Sequence, residues 1–182
     1  MSHFWEVPGL KELIEKYGLK EFVETGCDDG KGLRHAIELG LEPRFSCDLN
    51  WDSVANCTQW GTVSREDSVD FLKRMVRRNY EPTLFWLDAH FPEVFGCTGE
   101  PWPLPKEVAI LAKKVGIERD VVIMDDMQCI HSDDNPARSN DPAGLDWQGV
   151  GGTIAELTEP FAKTHTATLH KVSTGILVLE PR

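Results

Sequence analysis

The chain has 182 residues, 41% of them hydrophobic and 27% charged, with a net charge of −11 and a pI near 4.9. That length suits one domain with a proper core, so residues 1–182 are expected to form a single domain. The acidity argues against nonspecific nucleic-acid binding, which needs Lys and Arg to neutralise phosphates. No apolar run approaches the roughly 20 residues that span a bilayer, so no membrane partner is expected, and the opening Met1–Glu6 lacks the basic-then-apolar layout of a secretory signal, so a cytoplasmic address is expected.

Leu10, Leu13, Ile14 and Tyr17 recur at helical spacing and stop at Gly18. Phe22-Val23 reads as a first strand. The segment Gly30–Leu39 reads as a helix with Leu33, Ala36 and Ile37 inward and Gly40 as its stop. Arg44–Asp48 is a second strand, 52–57 a short helix and Thr62-Val63 a brief third strand. Ser68–Arg78 is amphipathic through Val69, Leu72 and Val76, with Asp67 or Ser68 as its cap; the basic run 73–78 then falls at a helix end, which suits the dipole. Thr83–Leu87, closed by Asp88, fits a central parallel strand covered on both faces. Pro105–Val115 reads as a helix with Val108, Leu111, Ala112 and Val115 inward, and Asp120–Asp126 repeats the apolar-then-acid layout.

A polar stretch from His131 to Val150 follows, long enough to be a functional loop. It is the expected substrate loop, with His131, Asp133, Asp134 and Trp147 as candidate contacts. Gly152–Lys163 reads as a last helix, and Thr166–Val172 with Gly175–Glu180 as an antiparallel hairpin. The alternation predicts an α/β fold of Rossmann-like, doubly wound type: a mostly parallel seven-stranded sheet ending in an antiparallel hairpin. Such a hairpin is not expected of a dinucleotide-binding sheet. The five cysteines are odd in number and form no C-x-x-C pair, so buried free thiols are expected.

The segment Phe22–Gly30 runs from a strand through Glu24, Thr25, Gly26, Cys27 and Asp28 to a second glycine that opens a helix. That is how an open α/β sheet builds a nucleotide-type site at the end of its first strand. Asp28 stands where the dinucleotide pattern wants its middle glycine, and a carboxylate there would repel a pyrophosphate. The pattern suits a ligand with adenosine and ribose but no phosphates, of which S-adenosylmethionine is one. Asp48, 22 positions after Gly26, is placed to hold ribose hydroxyls. Asp67 and Ser68 stand at the adenine corner, though helix capping explains them equally well. Cys27 either touches the ligand or fills a small buried space.

Glu24, Asp48, Asp88, Asp125 and Asp126 all end strands at one edge of the sheet. Like charges so gathered repel, so something positive should sit among them: a sulfonium or a divalent metal. Asp88, Asp125 and Asp126 form the candidate metal set, hard oxygen ligands suited to Mg²⁺ or Ca²⁺. His90 is the candidate general base, since an imidazole titrates near neutral pH; as a direct ligand it would shift the preference toward Mn²⁺, Fe²⁺ or Zn²⁺. Trp51, Trp60, Trp86, Trp102 and Trp147 are candidates for stacking on ligand rings.

With Val23-Glu24-Thr25-Gly26, Trp86-Leu87-Asp88-Ala89-His90 and Ile123-Met124-Asp125-Asp126 in place, the chain resembles a class I S-adenosylmethionine-dependent methyltransferase. Within that superfamily it is similar to the macrocin-type small-molecule O-methyltransferases, which act on sugar hydroxyls. The resemblance implies S-adenosylmethionine as cofactor, Mg²⁺ or Mn²⁺ held by Asp88, Asp125 and Asp126, a small-molecule acceptor and catalytic roles for Asp88 and His90. It departs from the family where a second Asp and a Tyr are usual and His90-Phe91 stand instead, and in lacking a long N-terminal lid segment. A homodimer is compatible with a small lidless domain, though no residue demands it. Two rival readings are a nicotinamide-dependent oxidoreductase and a non-catalytic binding or scaffold protein of the same fold.

Overall fold

The computed structural model describes residues 4–78, 81–91, 96–130, 132, 135–137, 152–172 and 174–182. Seven strands, β1 (Glu21–Thr25), β2 (Arg44–Asp48), β3 (Thr62–Arg65), β4 (Thr83–Leu87), β5 (Val121–Met124), β6 (His165–His170) and β7 (Ile176–Pro181), form one sheet in the order β3-β2-β1-β4-β5-β7-β6. The pairs among β1 to β5 are parallel, while β7 runs antiparallel to both β5 and β6. The hairpin therefore folds back so that its second strand sits between the first and the rest of the sheet. Among the described residues no helix is long and apolar enough to cross a membrane.

Among the described residues six helices complete the layers: α1 (Leu10–Tyr17), α2 (Lys31–Glu38), α3 (Trp51–Cys57), α4 (Ser68–Met75), α5 (Leu104–Leu111) and α6 (Ile154–Thr158). Strand side chains alternate between the two faces. Val23, Phe85, Leu87, Val122 and Met124 pack against α4, α5 and α6. Phe22, Leu84, Trp86, Val121 and Ile123 pack against α1, α2 and the short 3₁₀ turn Phe4–Glu6. β1, β4 and β5 are buried along their whole length; β4 and β5 are near-continuous apolar runs, as a doubly covered parallel sheet asks, while β1 buries Glu21, Glu24 and Thr25 beside Phe22 and Val23.

The helices are shorter than their sequence patterns suggest. α4 stops at Met75 and α5 at Leu111, with Ala112 as its C-cap, so Val115 lies beyond the helix and is 91% exposed instead of inward. Ile37, expected inward on α2, is 43% exposed because Leu33 and Ala36 already fill the buried stripe. The last helix breaks into α6 and a 3₁₀ turn Glu159–Phe161, with Pro160 removing an amide donor at the junction. Its start is a reciprocal cap: the Thr153 hydroxyl accepts from Glu156 N and the Glu156 carboxylate accepts from Thr153 N. The expected loop 131–150 lies almost wholly outside the described residues, including His131, Asp133, Asp134 and Trp147.

At the amino-terminal edge of the sheet a buried ion pair links α5's trailing turn to β5. Lys114 Nζ lies 2.7 Å from Asp120 Oδ2, and both side chains are closed to solvent. Asp120 Oδ1 accepts from Thr83 N at 3.0 Å, so one carboxylate ties the starts of β4 and β5. Removing one partner of such a pair leaves an uncompensated buried charge, at a cost of about 3–5 kcal/mol. Lys114→Met is expected to lose about that much by urea unfolding, and the Lys114→Met, Asp120→Asn double variant to recover a large part of it. A loss within about 0.5 kcal/mol, the scale of an ordinary surface change, would show that the pair stabilises little.

Candidate active site

The strand order reverses between β1 and β4, and a cleft opens there at the carboxyl ends of the strands. Its cavity measures about 190 Å³ and opens to solvent. Gly26 lines it from the turn after β1, Asp48 from the end of β2, Asp67 and Ser68 from the start of α4, Asp88 and His90 from beyond β4, and Asp126 from beyond β5.

The glycine turn is packed, not open. Gly26 has φ +81°, and a Cβ there would stand 2.6 Å from the Asp88 carbonyl oxygen, so only glycine lets β1's turn approach β4's end this closely. The amides of Gly26 and Cys27 both donate to Cys47 O, that of Gly30 to Cys27 O, and that of Asp28 to Asp48 Oδ2 at 3.0 Å. These four donors are spent inside the protein, which leaves no amide cradle for a phosphate at those positions. Asp48 Oδ1 accepts from Asn50 N at 2.8 Å, so two backbone amides fix this carboxylate beside the cleft.

Several expected contacts lie behind the wall of the cleft. Glu24 is buried, its Oε2 accepts from the Ser46 hydroxyl at 2.8 Å, and its Oε1 occupies the space a Cβ on Gly32 would need. Its carboxyl thus packs under the first turn of α2 and does not join the acids of the cleft. Thr25 is fully buried and its hydroxyl oxygen accepts from Asp88 N at 3.2 Å. Cys27 is buried and all five cysteines are free. Gly30 is the N-cap of α2, closed over by Trp60, which in turn lies under the Arg34 guanidinium. Asp67 lines the cleft and also caps α4, its Oδ1 accepting from Val69 N at 2.9 Å. Trp86 belongs to the core, and Trp51 projects 64% exposed from α3.

The candidate metal set changes by one residue. Asp88, His90 and Asp126 bring ligand atoms within 4.8 Å of one another. Asp125 does not join them: its Oδ1 accepts from the Thr174 hydroxyl at 2.7 Å and from Asp126 N. The cause is a left-handed residue, Asp126 at φ 60°, which turns the chain so that two successive carboxylates face different ways. Both His90 ring nitrogens are buried with no hydrogen-bond partner among the described residues, and Asp126 Oδ2 is 3.5 Å from Nδ1, too long for a good hydrogen bond. An orphaned buried imidazole between two carboxylates fits a divalent cation, and this nitrogen-plus-oxygen set suits Mn²⁺, Fe²⁺ or Zn²⁺ better than Ca²⁺.

Charge is the site's main property. Seven carboxylates line the cleft, and among the described residues no Lys or Arg does. Glu66 is paired with Arg74 and Glu100 with Lys106, whereas Asp28, Asp48, Asp67, Asp88 and Asp126 have no Lys or Arg ion pair among the described residues. Desolvation, then the charges of Asp125 and Asp126, push the Asp88 carboxyl well above the usual range. Asp28 is raised for the same kinds of reason, burial first and then Asp29 and Asp48.

Glu107 escaped the sequence reading. It sits on the inner face of α5 with Leu104, Val108 and Leu111, wholly buried, with neither oxygen in hydrogen-bond geometry, although the Thr25 and Ser68 hydroxyls and His90 are close enough to favour its charged form. Burial outweighs them and raises its pKa. A lone Glu in an apolar helical stripe was the available signal.

The fold is shared with solved methyltransferases. PaMTH1 of Podospora anserina, solved with S-adenosylhomocysteine, has a TM-score of 0.66 at 14% identity over all of this chain and 80% of that one. An O-methyltransferase from Bacillus cereus, also in complex with S-adenosylhomocysteine, gives 0.57 at 18% over 94% and 78%. The N-methyltransferase NodS of Bradyrhizobium japonicum WM9 gives 0.53 at 9% over 95% and 92%. No protein-family model and no curated protein matches the sequence. The architecture is therefore the Rossmann-like methyltransferase fold, as the strand order and terminal hairpin predict.

Burial, with smaller help from Cys57, Asp48 and Asp28, pushes Glu24 up to about 8 from its ordinary 4.5, while Ser46 opposes the shift. Folded protein keeps this proton where the unfolded chain has lost it, so folding stability falls as pH climbs from about 4.5 to about 8. Glu24→Gln keeps the Ser46 contact without the titration. Unfolding measured across that window is expected to show a shallower decline for Glu24→Gln than for the wild type; parallel curves would place the Glu24 proton elsewhere.

Proposed function

We propose that the chain transfers a methyl group from S-adenosylmethionine to a hydroxyl of a small acceptor, with a sugar as the class the sequence resemblance favours. The observation that carries this reading is a cleft at the switch point lined by seven carboxylates and no Lys or Arg among the described residues. Such a cleft repels phosphates and favours a cationic guest. The fold's occurrence with S-adenosylhomocysteine in the Podospora and Bacillus structures supports the same cofactor. A nicotinamide dinucleotide is disfavoured because its pyrophosphate would meet Asp28 and amides already spent.

S-adenosylmethionine supplies, when bound, an electrophilic methyl on a positively charged sulfur. Asp48 accepts from the ribose hydroxyls, held for that by its two backbone donors. In this reading Asp67 and Ser68, which line the cleft, contact the adenine, and Asp88, which also lines it, balances the cationic end of the ligand with its negative charge. As the base, His90 takes the acceptor's hydroxyl proton on the lone pair of a ring nitrogen. Orientation of the two reactants at near-attack distance supplies much of the rate. Asp88 and Asp126 would hold a divalent ion such as Mg²⁺ or Mn²⁺, which when bound would lower the acceptor hydroxyl's pKa. His90 serves either as that ion's third ligand or as the base; one nitrogen lone pair facing the cleft cannot do both.

His90→Ala is expected to lower turnover, read by mass spectrometry of methylated product, by roughly 10²–10⁴-fold, with cofactor affinity by equilibrium dialysis changed less than about twofold. Unchanged turnover removes His90 from the mechanism. Wild-type turnover that survives exhaustive chelation assigns His90 as base, and turnover lost on chelation and restored by Mn²⁺ assigns it as ligand.

A further inference from the structure

We propose that Trp102 is a positioning residue for His90: its indole fixes the plane of the imidazole so that a ring nitrogen is presented to the cleft. The inference rests on the role given to His90 above. It begins with an absence of other restraint. Among the described residues neither His90 nitrogen has a hydrogen-bond partner, and the nearest carboxylate oxygen, Asp126 Oδ2, is 3.5 Å from Nδ1. A histidine whose nitrogens are unbonded is free to flip or rotate about its side-chain torsions unless something apolar holds the ring.

Trp102 is that holder. Its ring centroid lies 4.3 Å from that of His90 with the planes 31° apart, a close, tilted stack. Backbone geometry sets the two rings opposite each other. Phe91 N donates to Pro101 O at 2.9 Å, so the residues on either side of that bond, His90 and Trp102, are brought face to face. Phe91 itself is held at φ 52°, a left-handed conformation rare for a bulky residue, which bends the chain just after His90. Phe91's ring then packs against Trp102, at 5.7 Å between centroids. Trp102 is half-buried and packs on the larger core cluster, which anchors the indole independently of His90.

Trp102 does not line the cleft. The expectation that it stacks on a ligand ring is replaced by a stack on the candidate catalytic imidazole, one step behind the ligand. An effect transmitted only through His90 should appear in kcat and leave cofactor affinity and acceptor KM alone.

The test compares wild type with Trp102→Leu, which removes the stack, and Trp102→Phe, which keeps an aromatic face should the leucine variant fold poorly. The His90 ring proton is followed by NMR, identified by its loss in His90→Asn, and kcat, KM and cofactor affinity are measured alongside. Trp102→Leu should shift the His90 resonance out of its ring-current position and lower kcat about tenfold or more at unchanged KM and cofactor affinity, with Trp102→Phe restoring most of both. An unmoved His90 resonance in Trp102→Leu overturns the proposal, as does a moved resonance with unchanged kcat. Equal losses of kcat and cofactor affinity in both variants overturn it too, since they mark a merely structural residue. A wild type that methylates no acceptor ends the functional reading above, and the His90 resonance then decides the stack alone.

Discussion

Carboxylates crowded along the carboxyl edge of a parallel sheet repel one another, and the rest of this site is arranged around that repulsion. Glu66 and Glu100, at the rim, carry their own cations in Arg74 and Lys106. The deeper acids do not. Asp48 is held by backbone amides, Asp88 keeps its proton far longer than a free carboxyl would, and Asp126 has only an imidazole beside it. Such an arrangement is costly without a guest and favourable with a cationic one, which is the physical content of the methyl-donor reading.

The scaffold separates where charge is compensated from where it is not. At the amino-terminal edge Lys114 and Asp120 are buried as a closed pair that also binds the start of β4. At the carboxyl edge Gly26 admits the Asp88 backbone to within the radius of a missing Cβ, which draws β1's turn and β4's end together beneath the cleft. The turn's amides are consumed in a second junction, by Cys47 O and the Asp48 carboxylate at the end of β2 and by Cys27 O within the turn. The same economy that builds a tight junction also withholds the donors a dinucleotide would need, so packing and ligand choice have one origin.

The fold was largely readable from the chain. Buried parallel strands leave continuous apolar runs, and those at 83–87 and 121–124 each end in the acid that lines or flanks the cleft. The closing hairpin showed as two β-rich segments around a short polar break, though not that its second strand would insert beside β5. The site was readable in position but not in direction. Asp125 and Asp126 look equivalent as letters, and only the left-handed turn at Asp126 separates a buried bond to Thr174 from a carboxylate in the cleft. Glu24 follows the first strand's apolar pair as the pattern asks, yet the missing side chain of Gly32 lets it fold under α2. Glu107 and Trp102 were missed as supporting residues because their partners are remote in sequence or lie across a loop whose closure depends on one backbone bond.

Proton release on cofactor binding tests the charge argument most directly. Calorimetric titration of the metal-free protein near pH 7 would be run with S-adenosylmethionine and with S-adenosylhomocysteine, each in two buffers of different ionisation enthalpy. A sulfonium entering the acid cluster should draw the raised Asp88 pKa back down, so the cationic ligand should release more protons than the neutral one. Binding enthalpies for S-adenosylmethionine that are the same in both buffers would contradict the account, and no binding heat from either ligand would remove its foundation.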